Sequence, residues 1–248
     1  MVIQFKDFSY YYKVKKQLTP ALQHVNLDVR RGELLCVVGE SGSGKTTLLK
    51  SILGRCKFID GELLIDGTPI EQVDVRKKNF AYIKQEIALY PHMTVYENIA
   101  FPLSVMGVSR QETDNRVKEM AAKTELDWLL TRKPRQLSVG QCQRVAIARA
   151  MIKRPQILLF DEPFANLDPL VRSDLRRLVK KLHAEYSPTI VFVTHDLSEA
   201  FSVGERIAVM DCGKVIEIGT PQELRDNPQT ELLKGYLKNG TNDIGQDG

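Results

Sequence analysis

The feature that most constrains this sequence is a glycine-rich segment set between an apolar run and a helical pattern. Residues 39–47 read GESGSGKTT, which fits the pattern G-x-x-x-x-G-K-[ST]. Five apolar residues at 34–38 precede the segment, as in a buried parallel strand, and residues 46–53 have a helical pattern that Gly54 ends. A glycine-rich turn with no further role is the alternative, but this pattern is expected by chance in roughly one chain in a hundred.

This order of strand, loop and helix predicts a phosphate-binding site. Glycines let backbone N–H groups approach phosphate oxygens, a lysine reaches the terminal phosphates, and a hydroxyl binds Mg²⁺. The helix N-terminus adds unpaired N–H groups and a favourable dipole. The candidate residues for binding a triphosphate, with Thr46 also the metal ligand, are Gly39, Glu40, Ser41, Gly42, Ser43, Gly44, Lys45, Thr46 and Thr47.

Composition limits the class of protein. A chain of 248 residues, 43% hydrophobic and 27% charged, has room for one α/β domain with a smaller lobe. No apolar run approaches the roughly 18 residues needed to span a bilayer, and the polar start is unlike a signal peptide. The net charge of +4 is spread out, so the short basic clusters at 13–16 and 76–78 favour solvated faces over a nucleic-acid groove. Four cysteines without CxxC spacing argue against a zinc site or disulfides and fit a reducing cytoplasm.

The rest of the chain indicates an α/β core interrupted by a helical lobe. The predicted strands lie at residues 5–12, 22–30, 34–38, 61–66, 79–84, 157–160, 190–193, 207–210 and 215–218. Between them, helical signals dominate residues 86–136, with Val117, Met120, Ala121 and Trp128 on one apolar face. The predicted division is a core of 1–85 and 154–220, a helical lobe of 86–153 and a tail of 221–248, whose last residues, 240–248, are polar enough to fray.

Polar residues follow two of the apolar runs. Asp161 and Glu162 come directly after 157–160, and His195 comes just after 190–193. In a parallel sheet the carboxyl ends of the strands are where ligands bind, and the phosphate loop lies on the same edge. A packed or capping histidine is the alternative at His195. Asp168 before Pro169 has the form of a helix N-cap.

Three further segments carry both a structural and a functional interpretation. Gln85 follows the strand at 79–84. Ser138 and Gln141 in the segment LSVGQ fit the capping box S-x-x-Q, which is a sufficient local explanation for that segment alone. The run of three tyrosines ending at Tyr12 fits an edge strand, or places one ring against an adenine base.

Taken together, these segments resemble the ATP-binding cassette (ABC) ATPase family over nearly the whole chain. The matching motifs, in the family's order, are Walker A (39–46), the Q-loop glutamine (Gln85), the signature (137–141), Walker B (157–162), the D-loop (166–168) and the switch histidine (His195). The resemblance implies an α/β P-loop NTPase fold, with a RecA-like core, an antiparallel β subdomain and an inserted helical subdomain. Residues 88–103 look like the same stretch in cassettes of binding-protein-dependent importers, the sugar type among them.

The resemblance also implies roles. The cofactors are ATP and Mg²⁺, with the metal held by Thr46, Gln85 and Asp161. Glu162 polarises the attacking water and His195 contacts the γ-phosphate. In a head-to-tail dimer, Ser138, Gly140 and the helix N-terminus behind them cover the nucleotide of the other chain. Gln141 and Asp168 are further nucleotide-binding candidates.

The implied partners are transmembrane permease subunits, a second ATP-binding subunit (identical or a close paralogue) and an extracytoplasmic substrate-binding protein. The expected location is the cytoplasmic face of the cell membrane, with no nucleic acid bound. The apolar and aromatic residues after Gln85 are candidates for a groove that receives a permease helix, or are simply lobe core: Leu89, Tyr90, Met93, Val95 and Tyr96.

Three alternatives stay open: an exporter cassette, a soluble ATPase of the same fold acting on nucleic acid or ribosomes, and a degenerate nucleotide-binding regulator. The lobe has no room for the long coiled-coil insertion common in the soluble relatives. Glu162 and His195, both present, speak against the regulator.

Two departures from the family pattern matter. Sugar-type cassettes usually carry an additional β-rich regulatory domain, and this chain stops about where that domain would begin. Val139 stands where the family usually has glycine. Because a β-branched residue at positive φ would be an outlier, we predict a negative φ at Val139.

Overall fold

The computed structural model describes residues 2–14, 17–56, 59–74 and 79–240. The basic residues Lys15 and Lys16, the cluster 76–78 and the tail 241–248 lie outside the described residues. The chain divides into two compact units, one formed by Met1–Lys78 with Thr189–Gly248 and the other by Asn79–Pro188.

The described residues form ten strands and eight α-helices. The strands are β1 (Ile3–Val14), β2 (Gln17–Val29), β3 (Leu34–Val38), β4 (Ile59–Ile65), β5 (Thr68–Pro69), β6 (Phe80–Ile83), β7 (Ile157–Asp161), β8 (Thr189–Thr194), β9 (Arg206–Asp211) and β10 (Lys214–Gly219). The helices are α1 (Lys45–Ile52), α2 (Val95–Val105), α3 (Arg110–Thr124), α4 (Val139–Met151), α5 (Pro169–Tyr186), α6 (Leu197–Val203), α7 (Pro221–Asp226) and α8 (Glu231–Gly240). None of the described helices is both long and apolar enough to cross a membrane.

The first unit holds two sets of paired strands. One is an antiparallel sheet in the order β2-β1-β4-β5. In the other, the order is β10-β9-β3-β8, with β3 parallel to both β8 and β9 and β10 antiparallel to β9. Every residue of β3 and β8 is buried, which explains why both read as continuous apolar runs in the sequence.

The second unit combines one parallel strand pair with most of the long helices. Strands β6 and β7 pair in parallel, with Ile83 opposite Phe160. Helix α4 packs against α2, α3 and α5. Helix α5 buries Leu175, Leu178, Val179 and Leu182, an apolar stripe at helical spacing.

All nine predicted strands are confirmed, and the helix predicted at 46–53 is confirmed as α1. The prediction that Trp128 shares the apolar face of the lobe is wrong. Helix α3 ends at Thr124 because Glu125 takes a left-handed conformation, with φ of 58°. Trp128 therefore lies beyond the helix, 64% exposed, with the guanidinium of Arg132 5.3 Å from its ring.

Candidate functional site

The phosphate loop of the first unit connects β3 to α1 and curls around its own lysine. Gly42 and Gly44 have φ of 86° and 103°, values that side chains disfavour. Lys45 is 4% exposed, and its Nζ donates to the carbonyl oxygens of Gly39 and Glu40, both at 2.8 Å. The loop thus holds a positive charge at its centre.

Helix α1 begins without a capping side chain. Its N-cap is Gly44, and the first turn has no acidic residue, whereas Lys50 lies in the last turn. The N-cap residue therefore gives no side-chain cap to the N–H groups at the start of this helix, and the first turn places no carboxylate of its own at the positive end of the dipole. Such a helix start is suited to an anion.

The hairpin between β9 and β10 supports the loop from behind. The N–H of Gly213 donates to the carbonyl of Ser43 at 3.0 Å. A Cβ on Gly39 would lie only 2.2 Å from the carbonyl oxygen of Met210, so this position accepts no side chain. Ser43 Oγ is buried and makes no hydrogen bond to any described residue. A loop with an orphaned hydroxyl, lined by glycines and one lysine, fits a phosphate group.

Tyr12 lies beside the start of α1. Its Oη is 3.0 Å from Thr47 Oγ1, and its ring stands edge-on to Tyr10 at 4.9 Å. The side chain is 38% exposed. The tyrosine run does form a strand, but β1 pairs with β2 on one side and with β4 on the other, so the expectation of an edge strand is wrong. Stacking of Tyr12 on adenine stays a prediction.

His195 follows β8 at the same edge as the phosphate loop. Val38, the last residue of β3, pairs with Thr194, so Gly39 and His195 both come one residue after paired strand ends. His195 is exposed, and the adjacent Asp196 caps α6 with hydrogen bonds to the N–H groups of Ser198 and Glu199. The capping role that was the alternative for His195 thus belongs to its neighbour.

In the second unit, Asp161 and Glu162 lie at the end of β7. Asp161 is 7% exposed, and its Oδ2 accepts a hydrogen bond of 2.7 Å from the hydroxyl of Tyr82. Glu162 has φ of 46°, a left-handed conformation that is uncommon outside glycine, asparagine and aspartate. Gln85 is exposed, two residues past the end of the neighbouring β6.

The signature segment of this unit forms the start of α4. Ser138 Oγ accepts from the N–H of Gln141 at 3.2 Å, and Gln141 Oε1 accepts from the N–H of Ser138 at 3.0 Å. The capping box is therefore present. Val139 is the first helical residue, is 57% exposed and is absent from the residues at positive φ, so the prediction of a negative φ is confirmed.

The signature segment meets the first turn of α5, the helix that begins after the D-loop. Asp168 caps α5 through a 3.0 Å hydrogen bond from the N–H of Val171. A Cβ built on Gly140 would lie 2.7 Å from Cγ1 of Val171. Gly140 therefore allows the first turns of α4 and α5 to approach each other.

The proposed groove after Gln85 needs one correction. Val95 is fully buried, with 0% exposure, so it belongs to the core of the helical region. Leu89, Tyr90, Met93 and Tyr96 are half-buried. Arg149 secures this segment, since it donates to the carbonyl of Ala88 at 2.7 Å and its guanidinium lies 5.3 Å from the Tyr90 ring.

Sequence reasoning missed two features of the second unit. One is the strained backbone of Glu162, for which glutamate gives no sequence signal. The other is Tyr82, which looks like an ordinary strand residue. Only its position near the end of a strand next to β7 hints at a role, and that adjacency becomes visible in the structure.

A glycine-rich phosphate loop between a buried parallel strand and a helix defines a nucleotide-binding α/β protein of the P-loop class. The sequence profile described as ABC transporter matches residues 22–165. The chain belongs to the ABC transporter family, and the resemblance noted from the motifs is confirmed.

Individual relatives agree with this assignment. The chain is 42% identical over 219 residues to the sn-glycerol-3-phosphate import ATP-binding protein UgpC 1 of Rhizobium johnstonii, covering 88% of this chain and 59% of that protein. It is 45% identical over 216 residues to the lactose transport ATP-binding protein LacK of Rhizobium radiobacter, covering 87% and 60%. The chain thus spans about three fifths of the length of these relatives.

A solved structure supports the fold. The structure of a dimeric ATP-binding cassette bound to ADP and Pi superposes with a TM-score of 0.78 at 35% identity, covering 88% of this chain and 98% of that one. The predicted fold class, an α/β ABC-type P-loop NTPase, is confirmed.

Proposed function

We propose that this chain is the ATP-hydrolysing subunit of an ABC importer. The observation that carries the proposal is the phosphate loop, with a buried lysine at its centre and a glycine as the N-cap of the helix that follows. The relatives are named as import or transport ATP-binding proteins, which favours the importer over the exporter and over the soluble ATPase.

The loop residues 39–47 hold the β- and γ-phosphates through backbone N–H groups and the Lys45 ammonium, and Tyr12 stacks on the adenine. Ser43 Oγ, buried without a partner among the described residues, is a further donor to phosphate. Oxygen ligands suit Mg²⁺, and Thr46, Gln85 and Asp161 offer a hydroxyl, an amide and a carboxylate. When bound, the ion neutralises charge on the β- and γ-phosphate oxygens.

Glu162 orients and polarises the water that attacks the γ-phosphate, and His195 hydrogen-bonds the γ-phosphate. Phosphoryl transfer needs mainly positioning and electrostatic stabilisation, so these residues must be held in place. The left-handed backbone of Glu162 is a strain of the kind that clusters at functional sites, at a cost of about 1–3 kcal/mol.

Two copies complete the site in a head-to-tail dimer. One face of the γ-phosphate is left for Ser138, Gly140, Gln141 and Asp168 of the second copy. The matched cassette structure with ADP and Pi is a dimer, which supports this arrangement. The remaining partners are transmembrane permease subunits, which dock on Leu89, Tyr90, Met93 and Tyr96, and an extracytoplasmic substrate-binding protein. The chain then works at the cytoplasmic face of the membrane.

The first experiment compares Glu162→Gln with Lys45→Ala. Loss of a group that activates water lowers a rate by about 10²- to 10⁴-fold. We therefore expect Glu162→Gln to bind ATP with near wild-type affinity, hydrolyse it at least 100-fold more slowly and accumulate as a dimer. Lys45→Ala removes a charge from the phosphates and should bind ATP weakly.

Calorimetry measures ATP affinity, and size-exclusion chromatography with ATP and Mg²⁺ measures the dimer. Glu71→Gln, on an exposed residue with no assigned role, is the control and should behave as wild type. A Glu162→Gln protein that hydrolyses ATP normally, or stays monomeric with saturating ATP, contradicts the proposal.

The importer assignment has a separate test in solubilised membranes. Purification of the tagged chain should bring down multi-spanning permease subunits identified by mass spectrometry. Leu89→Asp should lose them while the isolated chain keeps its ATPase activity. Equal recovery with Leu89→Asp would remove this segment as the docking site.

A further inference from the structure

Strands β6 and β7 carry a tyrosine and a carboxylate that meet at the end of the strand pair. The register places Tyr82 opposite Leu159, two residues before Asp161. Side chains two residues apart on a strand share a face, and two residues span about 6.6 Å. A tyrosine has the length to cover this distance along the strand, and a shorter polar side chain would not reach.

The contact is a short hydrogen bond to a carboxylate. Tyr82 Oη donates to Asp161 Oδ2 at 2.7 Å, within the range of bonds to an ionised acceptor. Asp161 is only 7% exposed and Tyr82 is half-buried. Limited access to water makes the tyrosine hydroxyl an important donor for this carboxylate.

We propose that Tyr82 is a positioning residue for the magnesium site, which fixes the orientation in which the Asp161 carboxylate binds the metal. The inference rests on the proposed function, because it assumes that Asp161 is a metal ligand. Outer hydrogen bonds to metal-binding carboxylates orient them, and their removal typically costs about 10- to 100-fold in metal affinity or activity. Tyr82 stands in that relation to Asp161.

The test measures the contribution of the metal to nucleotide binding, without relying on turnover. Calorimetry gives the affinity of the full chain for the non-hydrolysable analogue AMPPNP in EDTA and in Mg²⁺. For Tyr82→Phe, the affinity in EDTA should stay within about twofold of wild type. The gain on adding Mg²⁺ should shrink by tenfold or more.

Two comparisons separate positioning from general structural damage. Tyr186→Phe removes another hydroxyl of the same unit, which donates to Glu119 Oε1 at 3.2 Å, and should leave the Mg²⁺ gain unchanged. In an Asp161→Asn background, Tyr82→Phe should have no further effect, because Tyr82 acts on the metal through the Asp161 carboxylate. The two single variants and the double variant form a double-mutant cycle that measures the coupling of the two side chains.

A conservative replacement guards against failure to fold. If Tyr82→Phe lowers the unfolding temperature markedly, 4-aminophenylalanine at position 82 keeps the ring and a donor and should recover most of the Mg²⁺ gain. The inference is overturned if Tyr82→Phe retains the full gain, or if its effect persists undiminished with Asp161→Asn. If Asp161→Asn itself leaves the wild-type Mg²⁺ gain intact, the proposed metal role of Asp161 fails, and the inference with it.

Discussion

The two helix starts that are expected to meet phosphate satisfy their first N–H groups in opposite ways. Helix α1 follows Gly44, with no side-chain cap and no acidic residue in its first turn. Helix α4 follows Ser138, whose hydroxyl and backbone N–H are both paired with Gln141. We call the start of α1 open, because its N-cap residue has no side chain to cap it, and the start of α4 closed, because Ser138 and Gln141 cap each other.

This difference suggests a division of labour between the two segments. An open start with a lysine beside it can bind an anion by itself. At a capped start, a ligand must compete with a reciprocal pair of hydrogen bonds, or use the N–H groups that the box leaves over. We therefore expect the phosphate loop to bind nucleotide in a single chain, and the signature to engage it only when a second copy presents it.

The largest effect should come from adding a side chain at Gly44, the N-cap of α1. Gly44→Ala places a Cβ at φ of 103° and 2.7 Å from the carbonyl oxygen of Ala21. Gly42→Ala is the matched control, since it also lies at positive φ but has nothing within 4 Å of its Cβ. Backbone strain of about 1–3 kcal/mol is common to both, so the steric clash is the difference.

Thermal unfolding and ATP titration measure this pair. We expect Gly44→Ala to lose more stability than Gly42→Ala and at least tenfold in ATP affinity, about 1.4 kcal/mol. Equal losses in the two variants would show that the approach to Ala21 does not hold the loop.

A smaller effect should follow from opening the closed start. Ser138→Ala removes the cap of α4 and should cost about 0.5–2 kcal/mol of stability, whereas Ser138→Thr keeps an oxygen in place and should lose less. ATP binding by the monomer should not change, but ATP hydrolysis should fall. If Ser138→Ala weakened monomeric ATP binding as much as Gly44→Ala, the distinction between the two helix starts would be wrong.

The smallest effect is the pH dependence of the capping boxes, which should differ between α4 and two other helices, α2 and α7. The boxes of α2 and α7 use Glu97 and Glu223, and the box of α4 uses the uncharged Gln141. The pKa of Glu97 is lowered most by the hydrogen bond with the backbone N–H of Thr94 and next by the hydrogen bond with its hydroxyl. The corresponding two hydrogen bonds with Thr220 lower the pKa of Glu223.

Because both pKa values are lowered, these caps are at full strength above the ordinary carboxyl pKa of 4.5 and weaken as pH falls through the lower folded values. In ¹H–¹⁵N spectra, the amides of Thr94 and Thr220 should shift with acid in this range. The amide of Ser138 should not. A matching titration at Ser138 would argue against the Gln141 partnership.

Much of this molecule is visible in the sequence because its signals are local. The buried strands read as apolar runs, and the phosphate loop and the caps at Ser138 and Asp168 follow from residue type and spacing. The conformation of Val139 follows from sterics alone.

The features that escaped depend on the folded surroundings. Tyr82 and Asp161 are 79 residues apart, and their contact needs the register of two strands. The left-handed backbone of Glu162 is imposed against the residue's own preference. Valine is a residue type that suits both a core and a docking face. The sequence therefore does not assign Val95 to either, and only its burial in the structure places it in the core.

The close approach of Gly140 to Val171 has an evolutionary consequence. If a side chain at position 140 must share space with the one at 171, the two sites cannot diverge independently. Homologues that carry alanine at the glycine position should carry a smaller residue opposite it. Chimaeras that take the two segments from different parents should fold less well than chimaeras that take both from one parent.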